Sequence, residues 1–324
     1  MNEEQRERLI VKLKRELGAT ILDALADDAV LEIMLNPDGK LWIEKFGVGK
    51  YQAGTLSASQ AESIVSTVAA MLGTTVGYDK PRLEGELPID QSRFSALAPP
   101  VVANMAFTIR RKARRVFTLE DYLAAGILTQ EQFDFIWLSI VNRKNILVGG
   151  GTGSGKTTLL NAVIHAIATL APHDRLVLIE DTGELQCSAE DYVTMRASAG
   201  GFTMNDCLKS TMRFRPDRII IGECRGGEAM ALLKSWNTGH EGGGGTLHCN
   251  SALMGLSRLE SLVAEAPEAS NYTPEMVRRL IGEAVNVVIF IAKDKEAKAG
   301  RAVKEIIAVE GYDSEKREYR IRNI

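Results

Sequence analysis

Apolar residues Leu9, Ile10, Leu13, Leu17, Ile21, Leu22 and Leu25 recur every three to four positions, so the spacing predicts an amphipathic helix over residues 3–26. The period then shortens. Val30–Leu35 and Leu41–Phe46 are brief apolar runs split by Asn36-Pro37-Asp38-Gly39-Lys40, a pattern that reads as a β-hairpin. Ser57–Leu72 returns to helical spacing, and Arg93–Leu97 and Asn104–Arg111 read as further strands of a small α+β domain. From Thr118 to Asn142 the pattern is helical again, with Leu123, Ile127, Phe133, Ile136, Trp137 and Ile140 on one face. Thr118 and Asp121 are spaced as a capping box, with Asp in place of the favoured Glu.

Beyond that point short apolar runs, Asn145–Val148, Leu176–Glu180 and Arg218–Ile221, alternate with helical segments. Such alternation implies parallel βαβ units with helices on both faces of a sheet. Val285–Ala292, Arg301–Glu310 and Arg317–Arg322 predict an antiparallel extension. The fold class expected is therefore α/β for a C-terminal domain over residues 116–324, with a smaller α+β N-terminal domain over 1–115 and a linker at 112–120.

Composition adds limits. A chain of 324 residues exceeds the usual single core, which favours two domains. The formal net charge of −3 speaks against coating nucleic acid by bulk electrostatics, and no sequence-specific nucleic-acid binding is expected. The N-terminus is charged and lacks the apolar core of a signal peptide. No apolar run has bilayer length, so the expected location is cytoplasmic, with peripheral membrane contact left open. Cys187, Cys207, Cys224 and Cys249 never approach C-x-x-C spacing, which argues for reduced thiols over a zinc site.

The sharpest chemical signal is Gly150-Gly151-Thr152-Gly153-Ser154-Gly155-Lys156-Thr157, which matches G-x-x-x-x-G-K-[ST] between an apolar strand and a helix that begins with Thr158. Glycines let the backbone wrap a phosphate, so that amide N–H groups and the helix N-terminus face it. Lys156 is expected on the β- and γ-phosphates and the Thr157 hydroxyl on Mg²⁺, which makes ATP and Mg²⁺ the expected ligands.

Three further segments supply candidate chemistry. Glu223 ends the apolar run Arg218–Ile221-Gly222 and could orient or deprotonate a water, directly or through the metal. A helix-capping or surface role is the plainer reading of the same residue. Glu180, Asp181 and Glu184 crowd the end of Leu176–Ile179, and carboxylates this close suggest a cation nearby, with a solvated loop as the alternative. Gly242–Gly245 is a four-glycine run; ordering it costs chain entropy, so a loop that approaches phosphate or moves is expected. His248, just after it, could contact the γ-phosphate, ligate a metal with His240, or be merely structural.

Taken together and in this order, the segments resemble the type II/type IV secretion ATPase superfamily. Gly150–Thr158 is similar to its Walker A, Glu180–Glu184 to its Asp box, Ile219–Glu223 with Arg225 to its Walker B, and Thr238–His248 to its His box. The short N-terminal domain is most similar to the type IV traffic ATPases, closest to conjugative-transfer ATPases of the TrbB kind. The Glu241–Gly245 stretch departs from the family, where small polar residues are more usual.

The resemblance implies a P-loop NTPase (RecA-like) fold for the C-terminal domain, and a hexameric ATP hydrolase that energises a type IV secretion or conjugative DNA transfer apparatus, in pilus biogenesis and substrate translocation. It implies apparatus proteins at the inner membrane as partners, and peripheral association with that membrane. It implies Glu223 as catalytic acid, Glu184 as a Mg²⁺- or water-positioning acid, Glu180 near the metal, and His248 as a γ-phosphate contact. Arg93 and Arg110 stand where N-terminal arginines would complete the site. A guanidinium fork suits charge developing on a phosphoryl group. The basic run Arg110–Arg115 also reads as a solvated face or as a patch for lipid or DNA. A pilus-retraction motor and a DNA-stimulated motor ATPase are the competing functions, followed by a small-molecule kinase, which leaves the His248 segment unexplained.

Overall fold

Helical spacing near the N-terminus becomes α1 (Glu3–Ala26), whose Leu13, Leu17, Ile21 and Leu25 are buried. Gly18, at φ 71° and ψ 173°, breaks it into two helical stretches across a kink. The hairpin expected next is β1 (Val30–Leu35) and β2 (Lys40–Lys45), paired antiparallel. β3 (Gly49–Thr55) follows, then α2 (Ala58–Met71), capped by Ser57, whose Oγ accepts from the Gln60 N–H. β4 (Arg82–Glu86), β5 (Arg93–Leu97) and β6 (Ala106–Arg110) complete a six-stranded antiparallel sheet of order β3-β2-β1-β6-β5-β4. β3 and β4 have no counterpart in the predicted pattern. They are the two edges of the sheet, and β3 has no buried residue to write an apolar alternation.

The computed structural model describes residues 3–45, 49–111, 116–198, 201–294 and 296–324. The chain forms two units, Met1–Arg115 and Val116–Ile324.

The second unit opens with α3 (Leu119–Ala124) and α4 (Gln130–Val141) where the sequence pattern suggested one helical stretch. Gly126, at φ 69°, ends the first, and a second capping box, Thr129 with Gln132, starts the next. The expected Thr118–Asp121 capping box is present, with both reciprocal bonds made. The sheet is then built from β7 (Ile146–Gly149), α5 (Lys156–Leu170), β8 (Leu176–Glu180), β9 (Tyr192–Arg196), α6 (Met204–Thr211), β10 (Arg218–Ile221), α7 (Glu228–Trp236) and β11 (Gly244–Leu247). Helices α8 (Ala252–Ala264) and α9 (Pro274–Ala284) lead to β12 (Val287–Lys293), β13 (Arg301–Asp313) and β14 (Glu318–Asn323).

The eight strands run in the order β14-β13-β12-β7-β11-β10-β8-β9. From β12 to β9 all pairs are parallel, and β13 and β14 add the antiparallel edge expected from the sequence. Two cores explain why β7, β8 and β10 read as continuous apolar runs. Leu147, Val177, Ile179, Ile219 and Ile221 pack with α6–α9 on one face. Ile146, Val148, Leu176, Leu178 and Ile220 pack with α3–α5 on the other. A parallel sheet buried on both faces leaves few polar positions in its central strands, and its functional groups gather beyond the strands' C-terminal ends.

The glycine run differs from expectation. Gly242–Gly245 is buried, and Gly244 and Gly245 belong to β11, a central strand between β10 and β7. The reason is space rather than mobility. A Cβ on Gly243 would lie 2.3 Å from both Trp236 Nε1 and the Ile219 carbonyl, and one on Gly245 would lie 2.7 Å from Ile221 Cγ2.

Candidate active site

The phosphate loop joins β7 to α5. Gly155, at φ 100°, takes the left-handed conformation that starts the helix, and Gly153 does likewise at φ 69°. Lys156 is the first helical residue, 8% exposed, and its Nζ donates to the Gly151 carbonyl at 3.1 Å. The same ammonium lies 3.3 Å from His248 Nδ1. An ammonium can only donate, so Nδ1 is the acceptor and the proton of the neutral ring sits on Nε2. His248 Nε2 in turn stands 2.8 Å from Glu223 Oε1.

Glu223 lies just beyond β10. Its position is fixed by backbone bonds from Gly222 N–H to the Ile179 carbonyl and from Cys224 N–H to the Thr246 carbonyl, both 2.8 Å. Thr246 Oγ1 adds a bond to the Gly222 carbonyl at 2.7 Å. One carboxylate oxygen, Oε2, accepts from Arg225 Nε at 2.8 Å and Nη2 at 2.6 Å. Arg225 also donates to Asp181, so one guanidinium joins the ends of β8 and β10. The other oxygen, Oε1, is buried and has no well-aligned donor, because His248 Nε2 approaches it off line. The polar chain therefore runs Lys156–His248–Glu223–Arg225–Asp181. Desolvation first, then the charge of Lys156, hold the His248 pKa below the 6.5 of an ordinary imidazole, with Glu223 pulling the other way. His248 is half exposed, so the neighbouring ammonium is the firmer of the two causes.

Glu180, expected near the metal, also anchors the acid loop. It is 2% exposed, and its Oε2 accepts the backbone N–H of Glu184 at 2.6 Å and of Leu185 at 3.0 Å. Asn161, buried on α5, clips the same loop: its Nδ2 donates to the Glu184 carbonyl at 3.0 Å and its Oδ1 accepts the Gln186 N–H at 3.0 Å. Thr157 and Asn161 are four residues apart on that helix, so the acid loop hangs on the face that carries the Thr157 hydroxyl. Asn161 and Arg225 are the site residues whose part the pattern did not foretell; Glu184 and Gln186 lie 23 and 25 residues from Asn161, and Asp181 lies 44 from Arg225.

The sequence profile described as Type II/IV secretion system protein matches residues 80–309. The chain belongs to that family. It is 48% identical over 305 residues, 94% of this chain and 91% of the relative, to the conjugal transfer protein TrbB of Rhizobium radiobacter. It is 29% identical over 312 residues to the type IV secretion system protein PtlH of Bordetella pertussis, covering 87% and 91% of the two chains. Among solved structures it superposes on the Legionella pneumophila ATPase DotB with a TM-score of 0.64 at 19% identity, over 92% of this chain and 81% of that one. The VirB11 ATPase of the Brucella suis type IV secretion system gives 0.51 at 24% identity, over 94% and 96%. These two likenesses establish the family fold.

The remaining candidates lie in the first unit. Arg93 and Arg110 are direct cross-strand partners on β5 and β6, flanked in register by Glu86 on β4 and Glu32 on β1. The four share one row of the sheet, on the face opposite the Phe94 and Ile109 core. Arg111 is buried against the first unit, donating to the Asp27 carbonyl and lying 3.6 Å from Asp28. Residues 112–115 of the basic run lie outside the described residues. All four cysteines are free, and none of the described helices is long and apolar enough to cross a membrane.

Proposed function

We propose that this chain hydrolyses ATP to energise a conjugative DNA transfer apparatus of the type IV secretion class, working as a homo-hexamer at the cytoplasmic face of the inner membrane. One observation supports the catalytic assignment above the rest: the buried Glu223 Oε1 lacks a well-aligned donor while Oε2 is held twice by Arg225. A carboxylate oxygen without an aligned donor, beside the phosphate loop, is fitted to accept a proton from water. The identity to conjugal transfer protein TrbB over nearly the whole chain supports the physiological setting.

In this reading the backbone of Gly150–Thr158 cradles the phosphates, and Lys156 exchanges His248 and the Gly151 carbonyl for β- and γ-phosphate oxygens. Once Lys156 has left, the neutral ring of His248 can carry its proton on Nδ1 and donate it to a γ-phosphate oxygen. Water attacks the γ-phosphorus, the bond to the β,γ-bridging oxygen breaks, and Glu223 takes the water's proton. Glu184 orients that water. Arg93 and Arg110 meet the developing charge.

The donors suit Mg²⁺, a hard cation that takes oxygen ligands and relies on few protein groups. Among the described residues no three His, Cys, Asp or Glu side chains form a metal cage by themselves, so phosphate oxygens would complete the shell. Thr157, with Glu184 and Glu223 directly or through water, would hold the ion, and Glu180 would contribute through the loop it anchors. Bound there, Mg²⁺ neutralises charge on the β- and γ-phosphates.

Light scattering on gel-filtered protein with ATP and Mg²⁺, alongside phosphate release at rising protein concentration, tests the proposal. A six-fold mass and turnover that climbs with assembly are expected, and Lys156→Ala should abolish both binding and turnover. A monomer with undiminished turnover would sink the hexameric reading.

A further inference from the structure

The hairpin of β12 and β13 brings two cations to the phosphate loop that neither motif contains. Lys293 ends β12, Arg301 begins β13, and they are paired directly across the two strands. Both lie over loop glycines. A Cβ on Gly153 would stand 3.2 Å from Lys293 Nζ and 3.4 Å from its Cε. One on Gly155 would stand 2.6 Å from Arg301 Nη1 and 3.6 Å from its Cδ. Lys293 has no ion pair among the described residues, and the neighbouring Asp294 is taken by Lys304, with Nζ and Oδ2 at 2.5 Å.

Topology says which part of a nucleotide these cations meet. β7 has β11 on one side and β12 on the other. His248 follows β11 and Glu223 follows β10, so the end of the nucleotide that is cut faces that side. The rest of the molecule, stretched across the loop, ends on the side of β12 and β13. Lys156 and a metal ion serve the β- and γ-phosphates; backbone N–H groups alone remain for the α-phosphate within the loop.

We infer that Lys293 and Arg301 form a second basic wall of the nucleotide site and grip the α-phosphate end of bound ATP and ADP. The inference rests on the reading of Gly150–Thr158 as that site. Charge-assisted bonds of this kind predict a loss of about ten- to hundredfold in affinity when both cations are removed.

Calorimetric titration of the full chain with ADP, and with ATP without metal, separates the two claims. The double variant Lys293→Ala/Arg301→Ala should lose ADP and ATP affinity about equally, and its remaining affinity should depend less on salt. Lys293→Ala alone should cost about three- to tenfold; being exposed, this position keeps the test valid if an Arg301 variant melts early. Arg301→Lys should recover part of the loss. Wild-type ADP affinity in the double variant, with Lys156→Ala still abolishing binding, overturns the inference and leaves the loop assignment standing. A loss confined to ATP overturns the placement at the α-phosphate. If the unaltered chain fails to bind either nucleotide, the reading of the loop falls, and the inference with it.

Discussion

Glu180 and Glu223 look alike in the sequence, each an acid closing an apolar run, and they close neighbouring strands of one sheet. The fold spends them in different ways. Glu180 is buried and satisfied by two backbone N–H groups, so its charge maintains the shape of the acid loop. Glu223 is held by a side chain, Arg225, and keeps one oxygen without an aligned donor. Backbone donors cannot leave when a substrate arrives; a guanidinium and an imidazole can. The comparison teaches that the partner of an acid at a strand end, rather than its position there, separates scaffold from chemistry.

The largest effects test that distinction directly. Glu223→Gln should lower ATP turnover by about 10²–10⁴-fold while ATP affinity and the urea midpoint stay near wild type. Glu180→Ala should do the reverse in kind, orphaning two part-buried N–H groups and costing about 1–3 kcal/mol in urea unfolding. Near-normal turnover with Gln at 223, or unchanged unfolding with Ala at 180, would erase the contrast. Arg225 comes next. As a positioning residue it should reduce kcat by roughly tenfold on change to Ala, with KM for ATP held within about threefold. Lys at 225 should restore part of kcat, since an ammonium can reach Glu223 yet cannot bridge to Asp181 as a fork. An equal rise in KM would place Arg225 on substrate instead.

The smallest effect is a titration. His248 should lose its proton below the 6.5 of an ordinary imidazole, first because the ring is desolvated and then because Lys156 faces it. The folded-state pKa is lowered, so the ring is neutral at pH 7 and charges only as the solution is acidified. Lys156→Ala removes a cation and should move the midpoint upward, which NMR of the ring Cε1–H can follow. A downward move would mean that Lys156 does not hold Nδ1 as an acceptor.

What was legible in the sequence follows from how far each signal reaches. The phosphate loop, β10 and the Thr118 capping box are local patterns, and residues within a few positions of one another specify them. The edge strands β3 and β4 bury too little to leave a pattern. The loop-anchoring bonds of Glu180 were not legible because their partners are main-chain groups, which carry no residue identity. Asn161, Arg225, Lys293 and Arg301 owe their parts to strands brought side by side from distant segments. The glycine run was legible as unusual, as a loop that approaches phosphate or moves; Gly244 and Gly245 instead lie in β11, where Trp236, Arg218, Leu160 and Ile221 fill the space a side chain would need.

That run has a consequence for how this gene can vary. A Cβ on any of Gly242, Gly243, Gly244 or Gly245 would meet a neighbour at under 3 Å, from 2.3 Å at Gly243 to 2.9 Å at Gly244. Every missense change in the four codons adds such a carbon. By composition this is the most featureless stretch of the protein. It is also one of its narrowest targets for single changes: a side chain here, as the small polar residues of relatives would supply, needs Trp236, Arg218, Leu160 or Ile221 to give way at the same time.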